Sequence, residues 1–412
     1  MFKKFGTAFQ RIGSAIKPVG SAIERKWTGH RVMVLASGAV VLVVILVAGT
    51  LVALGSGGTP QATATPGATP TTVISFAPTD SPSASPSDTA LPSPSDTPEP
   101  SPTTPPPDGL AYADLDGVAV KPDLAHRLPM AVMVDDNIVA RPQSGFSSAS
   151  IVYQAPADGG EDRYMMVFQE GTSKDIGPVR SARPYYVYWA MEYKAMFGHY
   201  GGDSVVLHQI LPRNTGNLYN MDALSGGSCP YHRIGTRKMP HNAYTNTAAL
   251  ISCLPKRHYP LTFQDMPVRN FRDDSPASQL PASQTITIPY RTGVVSYTYD
   301  RKTDSYLRYV SYRLQKDPAN GQQVKARNIV VMFQALTYDT VNDPGHKRPV
   351  IANVGTGQAI VFNEGQAITA TWAKASNTAL TRLYDSAGNE IPFVRGEIFM
   401  QCVPIGTRVT YK

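Results

Sequence analysis

One apolar run near the start of the chain stands apart from the rest of the hydrophobic pattern. Residues 32–54, VMVLASGAVVLVVILVAGTLVAL, contain no charged side chain. As a helix they would extend over roughly 35 Å, which is enough to cross the hydrocarbon core of a membrane. The run is longer than the apolar region of a cleaved signal peptide, which is the alternative interpretation. The pattern therefore predicts a single transmembrane helix over residues 32–54.

The segments on either side of this run predict its orientation. Residues 1–31 carry seven basic side chains and one acidic side chain, a net charge of +6. Because basic flanks stay inside, we expect a basic cytoplasmic tail over 1–31, an N-terminus inside the cell and everything after the span outside it. Residues 55–109 consist mainly of Pro, Ser, Thr and Ala, which predicts a disordered stalk. We therefore expect a single-pass cell-membrane protein with an extracytoplasmic head.

Short apolar runs after the stalk predict a head of two domains. Between 110 and 270, strand-like stretches such as MAVMV alternate with helix-like ones such as PYYVYWAMEYKAMF, which places Pro184 at a favourable first helical position. From 284 to 412, alternating strands are separated by the turn signals NG, EG and GN. The predicted fold class is α+β: a single transmembrane helix, a disordered stalk, a mixed α/β domain over 110–270 and an antiparallel β-rich domain over 284–412.

The charge distribution narrows the choice of partners. The chain has a formal charge of +7, the stalk contributes five acidic residues and no base, and the head carries about the same positive charge as the tail. No cluster of Lys and Arg follows Arg31, whereas nucleic-acid binders usually contain such clusters. We therefore expect no nucleic-acid partner, and the remaining partners are the membrane and an anionic envelope component or a protein.

The chain contains three cysteines, Cys229, Cys253 and Cys402. An oxidising compartment permits one disulfide, for which Cys229 and Cys253 are the closer pair, and the remaining thiol is then expected to be buried. The pattern leaves open whether that bond forms. The spacing of these cysteines and the nearby histidines matches no standard zinc site. We therefore expect neither a metal nor a cofactor.

The segment IGPVRSARPYY combines positive charge with a predicted helix start. Arg180, Ser181 and Arg183 stand directly before that helix, whose first N–H groups lack internal partners and attract anions. The two guanidinium groups add planar donors suited to carboxylate or phosphate, and Ser181 is either a helix cap or part of the site. In the alternative interpretation the arginines pair with Asp135 and Asp158 and only hold the fold together. The pattern leaves both interpretations open.

Three further loops are rich in polar side chains. They are VDDNIVARPQSG after a predicted strand, ADGGEDRY, and RKMPHNAYT, and strand ends are where α/β folds commonly place ligand sites. One such loop is usually explained by turns and ion pairs, but four in one domain favour convergence. The predicted ligand-binding residues are Asp135, Asn137, Arg141, Asp158, Arg163, Arg180, Ser181, Arg183, His199, Arg237, Lys238, His241 and Asn242.

These stretches also carry a family resemblance. MAVMVDDNIVARPQSG, IVYQAPADGGEDRY, IGPVRSARPYYV and RKMPHNAYT, followed by YDSAGNEIP, resemble the YerB-like family, a domain of unknown function with N-terminal and C-terminal modules. The resemblance implies an extracytoplasmic, membrane-attached bacterial protein and no established reaction. Members are often lipoproteins, whereas no cysteine precedes Cys229 here, so the peptide helix is the expected anchor. Gln154 replaces an acid and Asp158 a longer Glu; if the acid at 154 acts as a base, this chain has lost it.

Functions of three different classes fit these residues. The first is an anchored module that binds an anionic ligand or envelope component in an Arg-rich polar pocket of the α/β domain. The second is an envelope hydrolase or transferase, with His199 or His241 as general base, Asp135 or Asp158 orienting it, and arginines stabilising negative charge. The third is a structural or interaction scaffold. The sequence leaves open whether the protein is an enzyme.

Overall fold

The structure, a computed structural model, describes residues 72–74, 104–225, 229–263 and 266–412. The tail and the transmembrane helix predicted within residues 1–54 lie outside the described residues, as does most of the predicted stalk. Two parts of that stalk are described: residues 72–74, which form a short strand, and residues 104–109.

Most of the regular structure in the described ranges is β-strand. The α-helices there are short: α1 (Pro122–Ala125), α2 (Pro184–Met191) and α3 (Thr247–Cys253). The strands up to residue 272 are β1 (Thr72–Ile74), β2 (Ala111–Tyr112), β3 (Ala119–Val120), β4 (Met130–Asp135), β5 (Ile151–Pro156), β6 (Asp162–Phe168), β7 (Met196–His199), β8 (Tyr219–Asp222), β9 (His232–Arg233), β10 (Ala243–Tyr244) and β11 (Phe271–Arg272). The later strands are β12 (Thr285–Tyr290), β13 (Gly293–Asp300), β14 (Ser305–Val310), β15 (Arg313–Leu314), β16 (Lys325–Ala326), β17 (Asn328–Gln334), β18 (Leu336–Asp339), β19 (Arg348–Ile351), β20 (Gly355–Asn363), β21 (Gln366–Lys374), β22 (Arg382–Tyr384), β23 (Phe393–Val394), β24 (Ile398–Pro404) and β25 (Val409–Tyr411).

Ten strands form one central sheet in the order β22-β21-β20-β17-β24-β5-β6-β4-β7-β8. Strands β17, β24, β5, β4, β7 and β8 run in the same direction, since their direct pairs are parallel and β6 is antiparallel to both β5 and β4. Their carboxyl ends therefore meet at one edge of the sheet, which we term the carboxyl edge. Asp135 ends β4, His199 ends β7 and Asp222 ends β8 at this edge.

The middle of this sheet joins the two halves of the sequence. Strand β5 pairs in parallel with β24, with Ile151 opposite Ile398 and Gln154 opposite Gln401. The segments 110–270 and 284–412, which the sequence predicts as separate domains, thus contribute strands to the same sheet.

Strand β4 shows how the central sheet is covered on both faces. Met130, Val132 and Val134 pack into a core shared with a second, seven-stranded sheet that contains β12, β13 and β14. Ala131 and Met133 point the other way, into the core under helix α2. A strand buried on both faces reads as an unbroken apolar run, as MAVMV does.

Two helices predicted from the sequence are present in shorter form. Helix α2 begins at Pro184, which is its first residue, as predicted. The helix ends at Met191, because strand β7 begins five residues later. The stretch GDSVVLHQIL, whose sequence indicates a helix capped by Asp203 or Ser204, contains a π-helical turn over Val206–Ile210, and Asp203 Oδ1 accepts a hydrogen bond from Val206 N (2.9 Å).

The predicted fold class is corrected with respect to the single transmembrane helix. Within the described part of the chain, no helix combines the length and the apolar character needed to cross a membrane. Helices α1, α2 and α3 have 4, 8 and 7 residues, whereas a span takes about 20. The regular structure of the described chain is mostly β-strand, and its buried apolar residues form the two cores of the sheets. The run 32–54, on which the prediction rested, lies outside the described residues.

Candidate functional site

Asp135 lies at the centre of the polar side chains on the carboxyl edge. Its carboxylate is fully buried. Oδ2 lies 2.6 Å from His241 Nδ1 and 3.1 Å from Arg180 Nε, while Oδ1 accepts a hydrogen bond from the Asn137 backbone N–H (3.1 Å). We term Asp135, His241 and Arg180 the Asp135 cluster. It brings together three of the residues predicted from separate loops.

Backbone pairing places the two cationic members of the cluster. The segment before helix α2 runs beside the end of β4, where Arg180 N donates to the Met133 carbonyl (3.0 Å). Strand β10 lies on the other side of this segment, where its Ala243 carbonyl accepts a hydrogen bond from Val179 N (2.6 Å). His241 precedes β10 by two residues, so this short ladder brings its ring to the end of β4.

The Asp135 cluster retains polar atoms that have no hydrogen-bond partner among the described residues. Arg180 Nε forms an ion pair with Asp135 but is not aligned for a hydrogen bond. Among the described residues, neither Nη group of Arg180 nor Nε2 of His241 has a hydrogen-bond partner, and these side chains are 21% and 17% exposed. Burial lowers the pKa of Arg180, and the charge of Asp135 opposes that shift. The cluster therefore presents a guanidinium edge and an imidazole nitrogen to incoming groups.

Asp158, just beyond β5, organises a second group of arginines. Its Oδ1 accepts from Arg183 Nε (2.8 Å), and its Oδ2 pairs with Arg183, Arg348 and Arg163, the last at 3.6 Å. Arg183 is also 3.7 Å from Asp203 Oδ2. Burial lowers the pKa of Arg183, which Asp203 counteracts. Arg348 also pairs with Asp343 (2.9 Å), so the three guanidinium groups are matched by three carboxylates.

The remaining residues of the arginine loops are also paired. Arg141 contacts Asp136 through Nε (3.0 Å) and Nη2 (2.9 Å). Arg163 Nη1 donates to the Ser181 carbonyl (2.8 Å). The cap of helix α2 is Arg183 rather than Ser181, whose hydroxyl accepts from Arg183 Nη1 at 3.4 Å. The four arginines of these loops are therefore divided among three carboxylates: Arg141 pairs with Asp136, Arg180 pairs with Asp135, and Arg163 and Arg183 share Asp158.

His199 is enclosed by the fold. Its side chain is fully buried, Nδ1 lies 2.8 Å from the Gly201 carbonyl, and Nε2 lies 2.7 Å from Asn220 Oδ1. Both ring nitrogens are thus bonded within the core, in contrast to His241.

The other predicted residues of the RKMPHNAYT loop have different surroundings. Arg237 donates to the carbonyls of Ala140 and Pro142, the second at 2.8 Å, so it joins this loop to the one after β4. Lys238 is exposed. Asn242 is buried; its side-chain oxygen accepts from Arg233 (2.6 Å).

Sequence reasoning missed a contribution from the C-terminal half, Arg308. This arginine is fully buried, and its guanidinium carbon lies 5.4–5.8 Å from the centres of four aromatic rings. Nη2 donates to Gln154 Oε1 (2.7 Å), and Nε donates to the Tyr297 hydroxyl (3.1 Å). Gln154 thus has a buried partner at the position where the resemblance suggested an acid. Strand alternation in SYLRYV places Arg308 on the face of the buried Tyr306, which is a usable sequence signal.

All three cysteines lie in the described part of the chain. Cys229 and Cys253 form a disulfide with a Cα–Cα distance of 6.3 Å, and Cys402 is a buried free thiol, as expected.

One group of carboxylates is close enough to hold a metal ion. Asp274, Asp304 and Glu364 place one oxygen each within 4.8 Å of one another. Arg327 pairs with Asp274 (2.8 Å) and Asp304, and Arg272 pairs with Glu364 (2.7 Å). These guanidinium groups offset most of the negative charge, so the group is explained as an ion-pair network.

Comparison with known proteins yields matches in both halves. Residues 115–260 match the family described as "Protein of unknown function (DUF3048) N-terminal domain", and residues 286–400 match its C-terminal domain. "Putative lipoprotein YerB" of Bacillus subtilis (strain 168) is 29% identical over 297 residues, which cover 71% of this chain and 86% of that protein. The crystal structure of YerB from Bacillus subtilis is similar with a TM-score of 0.63 and 27% identity, over 71% of this chain and 97% of that one.

Proposed function

Because this chain belongs to the two-module DUF3048 family, whose description assigns no activity, we propose a function from the Asp135 cluster. The protein is a membrane-associated, extracytoplasmic component of the bacterial envelope, and its head binds an anionic ligand through Arg180 and His241. The lipoprotein name of its relative supports membrane association. The disulfide between Cys229 and Cys253 supports an oxidising compartment.

The observation that carries this proposal is the sharing of one carboxylate oxygen by two cationic side chains. Asp135 Oδ2 contacts both Arg180 Nε and His241 Nδ1, which leaves the Nη groups of Arg180 and Nε2 of His241 available to one ligand. Two parallel N–H groups of a guanidinium match the oxygen spacing of phosphate or carboxylate. The imidazole of His241 adds a third polar contact for the same group through Nε2.

The pairing of the other arginines limits the size of the bound group. Arg141, Arg163 and Arg183 are bonded to Asp136, Asp158 and the backbone. Their ion pairs support a structural role for these three side chains. The proposed ligand therefore offers one anionic group to the cluster, and a polymer would bind through one group at a time.

The test is titration calorimetry of the full-length chain, held in zwitterionic lipid nanodiscs, with inorganic phosphate. Arg180→Lys keeps a counter-charge beside Asp135 but loses the paired donors, and we expect about tenfold weaker binding. His241→Gln removes the imidazole beside Asp135 and should also weaken phosphate binding. Arg382→Lys, in a partly exposed ion pair with Glu390, is the matched control. Equal phosphate affinity in wild type and both cluster variants would show that the proposal is wrong.

A hydrolase or transferase is the second candidate, and the contact of 2.6 Å between His241 Nδ1 and Asp135 favours it. A carboxylate in this position holds the ring so that Nε2 serves as general base, and Arg180 would stabilise negative charge that develops nearby. If this candidate is right, His241→Ala abolishes turnover of purified wall material. Turnover that persists in His241→Ala rules out that role.

A further inference from the structure

Three large apolar side chains are exposed to solvent within four residues of Asp135 or His241 in the sequence. Ile138 is 76% exposed, Val139 is 60% exposed and Met239 is 69% exposed. Isolated exposed apolar residues are ordinary on protein surfaces, but a local group of them marks a contact site. We term these three residues the apolar rim.

The rim belongs to the two loops that build the cluster. Ile138 and Val139 lie in a 3₁₀ turn directly after Asp135, and the Asn137 side chain caps that turn through Val139 N (3.0 Å). Met239 precedes His241 by two residues in a turn closed by a hydrogen bond from His241 N to the Lys238 carbonyl (3.0 Å).

Arg237 holds these loops side by side. Its guanidinium donates to the carbonyls of Ala140 and Pro142, which follow the first part of the rim, while its own chain continues into Met239. Apolar side chains and free cationic donors are therefore adjacent, and the exposed Lys238 adds positive charge on the same loop.

We propose that the ligand of the Asp135 cluster is an amphiphile, with an anionic head group on Arg180 and His241 and an apolar chain on the apolar rim. This inference rests on the proposed function and specifies its ligand class. Charge complementarity selects the head group, because Arg180 and the exposed Lys238 are cationic, while the nearby carboxylate of Glu161 is hydrogen-bonded to the Asn137 side chain. A free sugar acid or a bare inorganic ion would leave the rim uncovered.

If the alkyl chain of the ligand covers the apolar rim, the binding affinity should rise with the length of that alkyl chain. Complete burial of a methylene group strengthens binding about fourfold. The apolar rim is an open surface and covers only about half of each methylene group. We therefore expect the affinity to rise about twofold for each methylene group. Butyl phosphate should therefore bind roughly tenfold more tightly than inorganic phosphate.

The experiment measures the ratio of these two dissociation constants by calorimetry on the full-length chain in zwitterionic nanodiscs, with empty nanodiscs as the blank. We expect a ratio near ten in wild type and near one in an Ile138→Asn, Val139→Asn double variant. Leu261→Asn is the matched control, because Leu261 is 50% exposed and its carbonyl bonds Leu128 N before the start of β4, away from the carboxyl edge. Its ratio should equal that of wild type.

Each other outcome overturns a different statement. A wild-type ratio near one, with phosphate binding still weakened by Arg180→Lys, removes the amphiphile and leaves the proposed function standing. No binding of either probe removes the proposed function and this inference with it. Rim-dependent binding to phosphatidylglycerol vesicles without any preference for butyl phosphate would replace the single bound amphiphile by a membrane surface.

Discussion

The free energy of unfolding of this protein should fall as the pH rises through 7, and Asp162 is a residue responsible. Asp162 is 2% exposed, and burial raises the pKa of its carboxyl to about 7. Thr292 Oγ contacts Oδ2 of Asp162 and lies 3.1 Å from Oδ2 of Asp136. One hydroxyl proton cannot serve two carboxylates at once, so a proton on Asp162 completes the network.

The sign and the size follow from this raised pKa. A group whose pKa is higher in the folded state than in the unfolded state stabilises the fold when it is protonated. That stabilisation is complete below the ordinary value of 3.8 and is lost as the pH rises through about 7. Between pH 5 and pH 8 the loss from Asp162 alone is about 2.5 kcal/mol.

The assay is urea unfolding of the full-length chain at pH 5 and pH 8, for wild type and Asp162→Asn. Asparagine keeps the oxygen that Thr292 contacts and stays neutral at both pH values. The fall in free energy between the two pH values should be about 2.5 kcal/mol smaller in Asp162→Asn than in wild type. Asp123→Asn, at an exposed position in α1, controls for the loss of one acid. The reasoning is refuted if wild type and Asp162→Asn lose the same free energy.

Two further predictions concern the interior and the disulfide. Gln154→Met removes the acceptor of the buried Arg308 and should lower the free energy of unfolding in urea at pH 7 by about 3 kcal/mol. Gln154→Glu keeps that acceptor but loses the donor to Asp136 Oδ2 (3.3 Å), so it should cost less than Gln154→Met; equal loss in both variants would show that the acceptor is unimportant. Cys253→Ser opens the loop of 24 residues to Cys229 and should cost about 3 kcal/mol in the same assay, and an unchanged midpoint would contradict this.

Local patterns predicted the elements better than their assembly. The strand MAVMV and the helix start at Pro184 carry their own periodicity and turn residues, and the structure confirms both. The pairing of β5 with β24 joins residues far apart in the chain, and no local pattern encodes such a contact. An unbroken apolar run such as MAVMV indicates a strand that is buried on both faces of a sheet. It does not indicate which strands lie beside it.

The candidate site shows the same limit at the level of side chains. The sequence named Asp135, Arg180 and His241 among thirteen candidates, because charged residues after strand ends are visible in the pattern. Which arginine keeps free donors depends on the carboxylate beside it, and this is decided by tertiary packing. His199 has the same ring as His241, yet Gly201 and Asn220 occupy both of its nitrogens.

The position of β24 in the central sheet has a consequence for biosynthesis. This strand lies between β17 and β5, although about 240 residues of the chain separate it from β5. During synthesis β5 therefore has no neighbour on that side until those residues and β24 have been made. For a protein that crosses a membrane unfolded, such a delay would keep the central sheet open until β24 has also crossed.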